Sequence, residues 1–301
     1  MPGHAALVGA TASGKSAVAL AVARSDPSWE LVTVDSMQVY RGMDVGTAKP
    51  SPSERAEVPH HLLDVADPWE DYDVARFQSD ARAVLADIEA RGRRALLVGG
   101  TALYLRAVVD DLTLPGQYPD VRAELDADPA TEALHARLAE LDPAAAGRME
   151  PTNRRRVVRA LEVTLGSGRP FSSFGPGLDE HPPTPFRLVA LRRDWAELDQ
   201  RIHARYDQQL AGGFVDEVRR LTTAADRPLS RTAAQALGYK ELAAHLAGAC
   251  ALGEAVELAR TRTRRFARRQ EKWFRRDPRV TWVDVEGDPL TAVDEVQRHL
   301  P

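Results

Sequence analysis

The chain has 301 residues, 44% hydrophobic and 28% charged, enough to bury a full core as one large domain with an insertion or as two modest domains. No apolar run approaches the roughly 20 residues that span a bilayer, and a single cysteine, Cys250, excludes an intramolecular disulfide and a thiolate-rich metal site; a small buried side chain is the expectation for it. The net charge of -4 conceals an asymmetry, with Asp and Glu dominating much of 110–150 and arginine dominating 154–159 and 260–279, which favours a polyanionic partner.

Residues 5–9 (Ala-Ala-Leu-Val-Gly) read as a short strand, followed by Thr-Ala-Ser-Gly-Lys-Ser and a helix to about Arg24. The N-terminal MPGHAALVGA enters that strand directly, without a signal- or transit-peptide pattern, so a cytoplasmic protein is expected. A second strand, 30–34, ends at Asp35. Val74, Phe77, Ala81, Val84, Leu85 and Ile88 recur at helical spacing and predict a helix over 74–91. A third strand, 95–98, runs into Gly99-Gly100-Thr101, and 186–191 and 280–283 are further strands. Strands alternating with helices predict a parallel α/β sheet whose ligands sit at the carboxyl ends of the strands.

From 112 to 180 the strand signals vanish. Pro115, Pro119, Pro129, Pro143 and Pro151 punctuate short helices, and a Gly/Pro-rich loop covers 166–185. The expected division is an α/β core of 1–111 with 181–301, and a helical insertion of 112–180.

Five segments carry chemistry. Gly9-Ala-Thr-Ala-Ser-Gly-Lys-Ser16 fits G-x-x-x-x-G-K-[ST] between a strand and a helix. Backbone N–H groups from Gly9, Thr11, Ala12, Ser13 and Gly14 would point at one anion, Lys15 adds a full charge, and the Ser16 hydroxyl suits Mg²⁺. The pattern specifies a diphosphate or triphosphate without specifying ATP. Asp35-Ser-Met-Gln38, at the end of the second strand, offers a carboxylate that serves as general base, Mg²⁺ ligand or helix N-cap. In Gly99-Gly100-Thr101 the threonine hydroxyl can donate to a phosphate oxygen or belong to a structural turn. His60 and His61, being adjacent, suit local hydrogen bonds better than a shared metal.

Arg155, Arg156 and Arg159 lie on a helix whose Val158, Leu161 and Leu165 form an apolar stripe. In the last long helix, Val256, Ala259, Thr263, Phe266, Gln270 and Trp273 step at three and four residues and are expected to pack on the core. Its other faces carry nine cationic residues, from Arg260 to Arg276, against Glu254, Glu257 and Glu271, a balance that favours nucleic-acid contact. Lysine survives only at Lys15, Lys49, Lys240 and Lys272, where a compact point charge is a reason to avoid arginine.

With these motifs in this order, the chain resembles the bacterial tRNA dimethylallyltransferase family almost end to end. The resemblance rests on GATASGKS (9–16), DSMQVYRGMDVGTAKP (35–50), PHHLLD (59–64), VGGTALYL (98–105), RRVVRALEV (155–163), QALGYKE (235–241) and TRRFARRQEKWFR (263–275). Ala10, Ala102 and Lys272 stand where the family usually has proline, glycine and threonine. The resemblance implies a P-loop kinase-like parallel core with a helical insertion that grips the tRNA anticodon stem-loop, dimethylallyl diphosphate as donor, Mg²⁺ as cofactor and N6 of the adenosine 3′ of the anticodon as acceptor. It implies Asp35 as general base, Thr101 and Arg205 on the leaving diphosphate, and Thr11 to Ser16 as the donor loop. Asp35, Ser36, Met37, Gln38, Thr101, Arg122, Arg155, Arg156, Arg159, Gln235, Gly238 and Lys240 match tRNA-contacting positions. A monomer is expected. Two alternatives use the same loop: a small-molecule kinase with ATP, and an adenylate isopentenyltransferase acting on free nucleotide.

Overall fold

In the computed structural model, which describes residues 3–175, 177–178, 180–223 and 227–301, the chain divides into two compact units: Met1–Asp110 with Pro183–Pro301, and Asp111–Pro182. Pro176 and Asp179, in the loop expected over 166–185, lie outside the described residues.

The first unit is built on β1 (Ala5–Gly9), β2 (Trp29–Val34), β3 (His60–His61), β4 (Arg94–Gly99), β5 (Arg187–Arg192) and β6 (Val280–Asp284). They form one parallel sheet in the order β3-β2-β4-β1-β5-β6. Side chains alternate between faces, so Ala6, Val8, Val32, Val34 and Leu97 enter one apolar cluster while Ala5, Leu7, Leu31 and Leu96 enter another. Both faces are covered, which is why the strands read as continuous apolar runs rather than as polar–apolar alternation. β3 was not predicted; two histidines carry no strand signal, and pairing with Leu31 and Val32 is what extends them.

Its helices are α1 (Lys15–Ser25), α2 (Pro52–Glu57), α3 (Val74–Ala90) and α4 (Ala102–Val109). The second unit is α5 (Pro119–Ala127), α6 (Thr131–Leu141), α7 (Pro143–Ala146) and α8 (Arg154–Ser167). The first unit resumes with α9 (Trp195–Ala211), α10 (Phe214–Thr223), α11 (Tyr239–Leu246), α12 (Leu252–Phe274) and α13 (Val293–His299). None of the described helices is long and apolar enough to cross a membrane.

α12 corrects the predicted stripe. Val256, Ala259, Thr263 and Gln270 are buried as expected, but Ala267 and Phe274 take the seats assigned to Phe266 and Trp273, which are half-buried. At 3.6 residues per turn, steps of three and four drift, and the bulkier neighbour is not always the inner one. Cys250 is likewise half-buried rather than fully enclosed.

The second unit has its own core of Leu125, Leu134, Leu138, Val157, Val158 and Leu161. Buried Glu162 accepts from the Tyr118 N–H (3.0 Å) and from Arg159 (2.7 Å), with Arg122 3.6 Å away. Arg154 donates to the carbonyls of Leu125 and Asp126 (3.1 Å each), covering groups that the end of α5 leaves without helical partners.

Candidate active site

β1, β4 and β2 are neighbours, and Gly99 pairs in register with Val8 on one side and Val34 on the other. The segments that leave their carboxyl ends therefore start at one level: residues 10–16, 100–101 and 35–38.

After Gly9 the chain curls tightly. The Ala10 carbonyl accepts from the Ser13 N–H (3.2 Å) and from Lys15 Nζ (3.3 Å). Gly14 occupies the left-handed region (φ 99°) as the N-cap of α1, a geometry that a side chain would strain. Ala12 is also left-handed (φ 64°), and such strain in a non-glycine persists only where surrounding contacts hold it. One contact is Arg201 on α9, whose Nε donates to the Ala12 carbonyl (2.9 Å). The first turn of α1 holds no acidic residue, so its positive end is unopposed.

Asp194 caps α9, accepting from the N–H groups of Ala196 (2.8 Å) and Glu197 (3.4 Å). Four residues after Arg201, and so on the same helix face, Arg205 donates to Thr11 Oγ1 (3.2 Å) and to the Thr47 carbonyl (3.3 Å). At the end of β2, Asp35 Oδ1 accepts from the N–H of Met37 (2.9 Å) and of Gln38 (3.4 Å). Asp35 therefore caps a turn and not a helix, and its Oδ2 has no hydrogen-bond partner among the described residues. Thr101 lies opposite. Its Oγ1 accepts from the Ser36 N–H (3.1 Å), and its own N–H donates to the Val34 carbonyl (3.3 Å). Gln38 donates to the carbonyls of Thr47 (3.0 Å) and Ala48 (3.2 Å), tying the Asp35 turn to the 44–49 loop.

Burial chiefly pushes Lys15 down from 10.5 to about 8; the Asp35 carboxylate resists that shift and Arg205 adds to it. Burial also depresses Arg205, again with Asp35 opposing. Two poorly solvated cations thus share one carboxylate. Such a cluster has surplus positive charge that an anionic ligand would balance. The Ser16 hydroxyl is a hard oxygen donor, which fits a magnesium ion held by few protein groups together with phosphate oxygens and water.

Other residues singled out in the sequence fall into three settings. Ser36, Met37 and Gln38 are half-buried around Asp35. Arg155 and Arg156 are exposed, without an ion pair among the described residues, whereas Arg122 and Arg159 are engaged with Glu162 inside the second unit. Gln235 and Lys240 are exposed, while Gly238 is buried, left-handed (φ 86°) and so close to Phe214 that a side chain would not fit. Lys49 is an interior clamp, donating to the Tyr40 carbonyl, Asp44 and Asp64 (2.6–2.7 Å). His60 Nδ1 meets the Val58 carbonyl (2.7 Å) and His61 Nε2 meets Glu30 (2.8 Å), so the rings turn to separate partners.

Two cations of α12 are offset by acids that its own sequence does not contain: Arg260 pairs with Asp207 and Arg262 with buried Glu241. Arg264, Arg265 and Arg268 line a cleft of about 280 Å³ with Asp199 and Thr261. Sequence reasoning missed Arg201, and also Arg193, which is buried beneath the loop, paired with Glu197, and donates to the carbonyls of Ser13 (3.4 Å) and Gly287 (2.9 Å).

The first unit is thus a parallel α/β core whose charged cluster sits at the ends of three adjacent strands. The model of the IPP transferase family matches residues 38–277, and that of isopentenyl transferases matches 3–65. The chain belongs to the IPP transferase family. It is 51% identical to a tRNA dimethylallyltransferase of Kineococcus radiotolerans (98% of this chain, 96% of that one) and 49% identical to one of Thermobifida fusca (95% and 91%). The crystal structure of the tRNA isopentenylpyrophosphate transferase of Bacillus halodurans is similar, with TM-score 0.72, 37% identity and coverage of 99% of this chain and 95% of that one. A eukaryotic dimethylallyltransferase acting on tRNA shares the fold (TM-score 0.80, 24% identity, 99% and 77% covered).

Proposed function

We propose that the protein transfers a dimethylallyl group from dimethylallyl diphosphate to N6 of the adenosine next to the anticodon, on its 3′ side, in tRNA, working in the cytoplasm with Mg²⁺. The observation that carries the reading is the convergence of the 9–16 loop, Lys15 and Arg205 with Asp35 and Thr101 at the carboxyl end of the sheet. Relatives named for this activity over nearly the whole chain support it.

The chemistry follows from where charge develops. As the allylic carbon–oxygen bond breaks, negative charge grows on the departing diphosphate. The 11–16 loop, through the N–H groups that Gln270 and the Ala10 carbonyl leave free, together with Lys15, Arg205 and the Thr101 hydroxyl, would meet that charge, in a P-loop that holds a leaving group. Magnesium, when bound through Ser16, neutralises part of the diphosphate charge. The adenine amine is a weak nucleophile because its lone pair is delocalised. Asp35, with Oδ1 fixed by two N–H groups, presents Oδ2 to take the amine proton as the new C–N bond forms.

The acceptor must leave its stack to expose the amine, at a cost of a few kcal/mol that phosphate contacts offset. Exposed Arg155 and Arg156, on the inserted helical unit, suit that role; Gln235, Lys240 and the half-buried Ser36, Met37 and Gln38 complete the proposed RNA contacts. Arg122, Arg159 and Gly238 would contribute mainly by shaping those surfaces.

Diphosphate release from dimethylallyl diphosphate, measured with tRNA, with free AMP and with neither, tests the proposal. Release stimulated by tRNA alone is expected. Release stimulated by AMP alone would mean a free-nucleotide enzyme, and consumption of ATP without prenyl transfer would mean a kinase.

A further inference from the structure

Gln270, on the inner face of α12, is buried and spans two loops. Its Oε1 accepts from the Thr11 N–H (2.9 Å) and its Nε2 donates to the Gly100 carbonyl (2.9 Å). Both partners lie just beyond the strand ends, Thr11 two residues after β1 and Gly100 one after β4, where the sheet no longer supplies backbone bonds. Thr11 also carries the hydroxyl that Arg205 contacts, and Gly100 precedes Thr101. One amide therefore joins the 9–16 loop to the Thr101 turn and, through the Ser36 N–H that Thr101 Oγ1 accepts, to the Asp35 turn on the proposed acceptor side.

The joint accounts for a glycine. Gly100 is not in the left-handed region, so its backbone would accept alanine, yet a methyl placed there would overlap Gln270 Nε2. The remaining crowding, from the Gly9 carbonyl at 3.2 Å, is mild. Glutamine suits the position because its amide offers an acceptor and a donor at once. Glutamate lacks the donor, asparagine is a methylene short, and methionine fills the space with neither group.

We propose that Gln270 is a positioning residue: its amide sets the spacing between the 9–16 loop and the Thr101 turn, to which the Asp35 turn is bonded, and so the separation across which the prenyl carbon and the acceptor amine meet. The inference rests on the prenyl-transfer reading above. Gln270 already occupies the Thr11 N–H and touches none of the N–H groups from Ala12 to Ser16, so donor and tRNA are expected to bind the Gln270 variants nearly as before, and misalignment appears in the chemical step.

The test is a double-mutant cycle on the full chain, with kcat and both KM values measured for Q270M, Q270A, G100A and G100A/Q270A alongside thermal melting. Q270M keeps the side-chain volume and with it the packing. It is expected to lose roughly tenfold or more in kcat while each KM stays within about threefold. G100A should lose a comparable factor by displacing the amide, and the double variant should lose no more than about threefold beyond Q270A. A purely structural role would lower the melting temperature of Q270M and leave its kcat at the wild-type level, and that result overturns the inference. Losses that multiply in G100A/Q270A overturn it as well. Should Q270A fail to fold, the kcat of Q270M decides. If the wild-type protein itself moves no prenyl group to tRNA, the functional reading fails first, and that outcome is distinct from the other two.

Discussion

The strand-end cluster and the arginine face of α8 hold positive charge in opposite settings. Lys15 and Arg205 are desolvated, so each loses some of its preference for the charged state and regains it next to an anion. Arg155 and Arg156 stand in water, where charge is cheap, screened by salt and replaceable. Desolvated charge suits a transition state whose negative charge grows at one place; solvated charge suits a polyanion gripped at several. α12 lies between these extremes, because acids on α9 and α11 neutralise part of its arginine content.

The largest expected effect separates the two settings outright. Asp35→Ala should lower the transfer rate by about 10²-fold or more while leaving tRNA affinity unchanged; a large loss of tRNA affinity would make Asp35 part of the grip. Next is pH. With Lys15 near 8, donor binding to the free enzyme should weaken by up to about tenfold per pH unit above that value, seen as a rising donor KM. The same depression means that the folded state binds fewer protons than the unfolded state between about 8 and 10.5. The ligand-free protein should therefore gain stability from this group as pH rises through that window, a gain that melting curves would detect.

Replacing Arg155 and Arg156 together by alanine should weaken tRNA binding roughly three- to thirtyfold and lower the slope of log K against log salt by about one to two, with kcat at saturating tRNA retained. An unchanged salt slope would remove this face from the interface. The smallest effect is expected at Arg262→Ala. It leaves buried Glu241 with only the Gly238 N–H as partner among the described residues and should cost about 1–2 kcal/mol in stability, with little change in tRNA affinity.

Strands, their parallel sense and the meeting of residues 9–16, 35–38 and 99–101 were legible because a buried parallel sheet writes itself as short apolar runs ending in glycine or a polar residue. What was not legible depends on partners distant in sequence. Arg262 reads as free charge because Glu241 lies on another helix, and Arg260, beside Glu257 in its own helix, gives no sign of its second partner, Asp207 on α9. The two-residue β3 has no pattern to read. Arg193 and Arg201 lie outside every motif, and nothing local says that their guanidinium groups hold carbonyls of the 10–14 loop. Gln270 did leave a signal: a glutamine on the buried stripe of a helix must bond to something, and its partners proved to be the two loops of the site.

The central claim, that the 9–16 loop cradles a leaving diphosphate and not a phosphoryl donor, is tested most directly by mass spectrometry of the tRNA anticodon loop after incubation with the protein, dimethylallyl diphosphate and Mg²⁺. The account predicts that one adenosine, 3′ of the anticodon, gains the mass of a dimethylallyl group, and that ATP does not replace the donor. An unmodified loop alongside transfer of phosphate from ATP to a small molecule would contradict it.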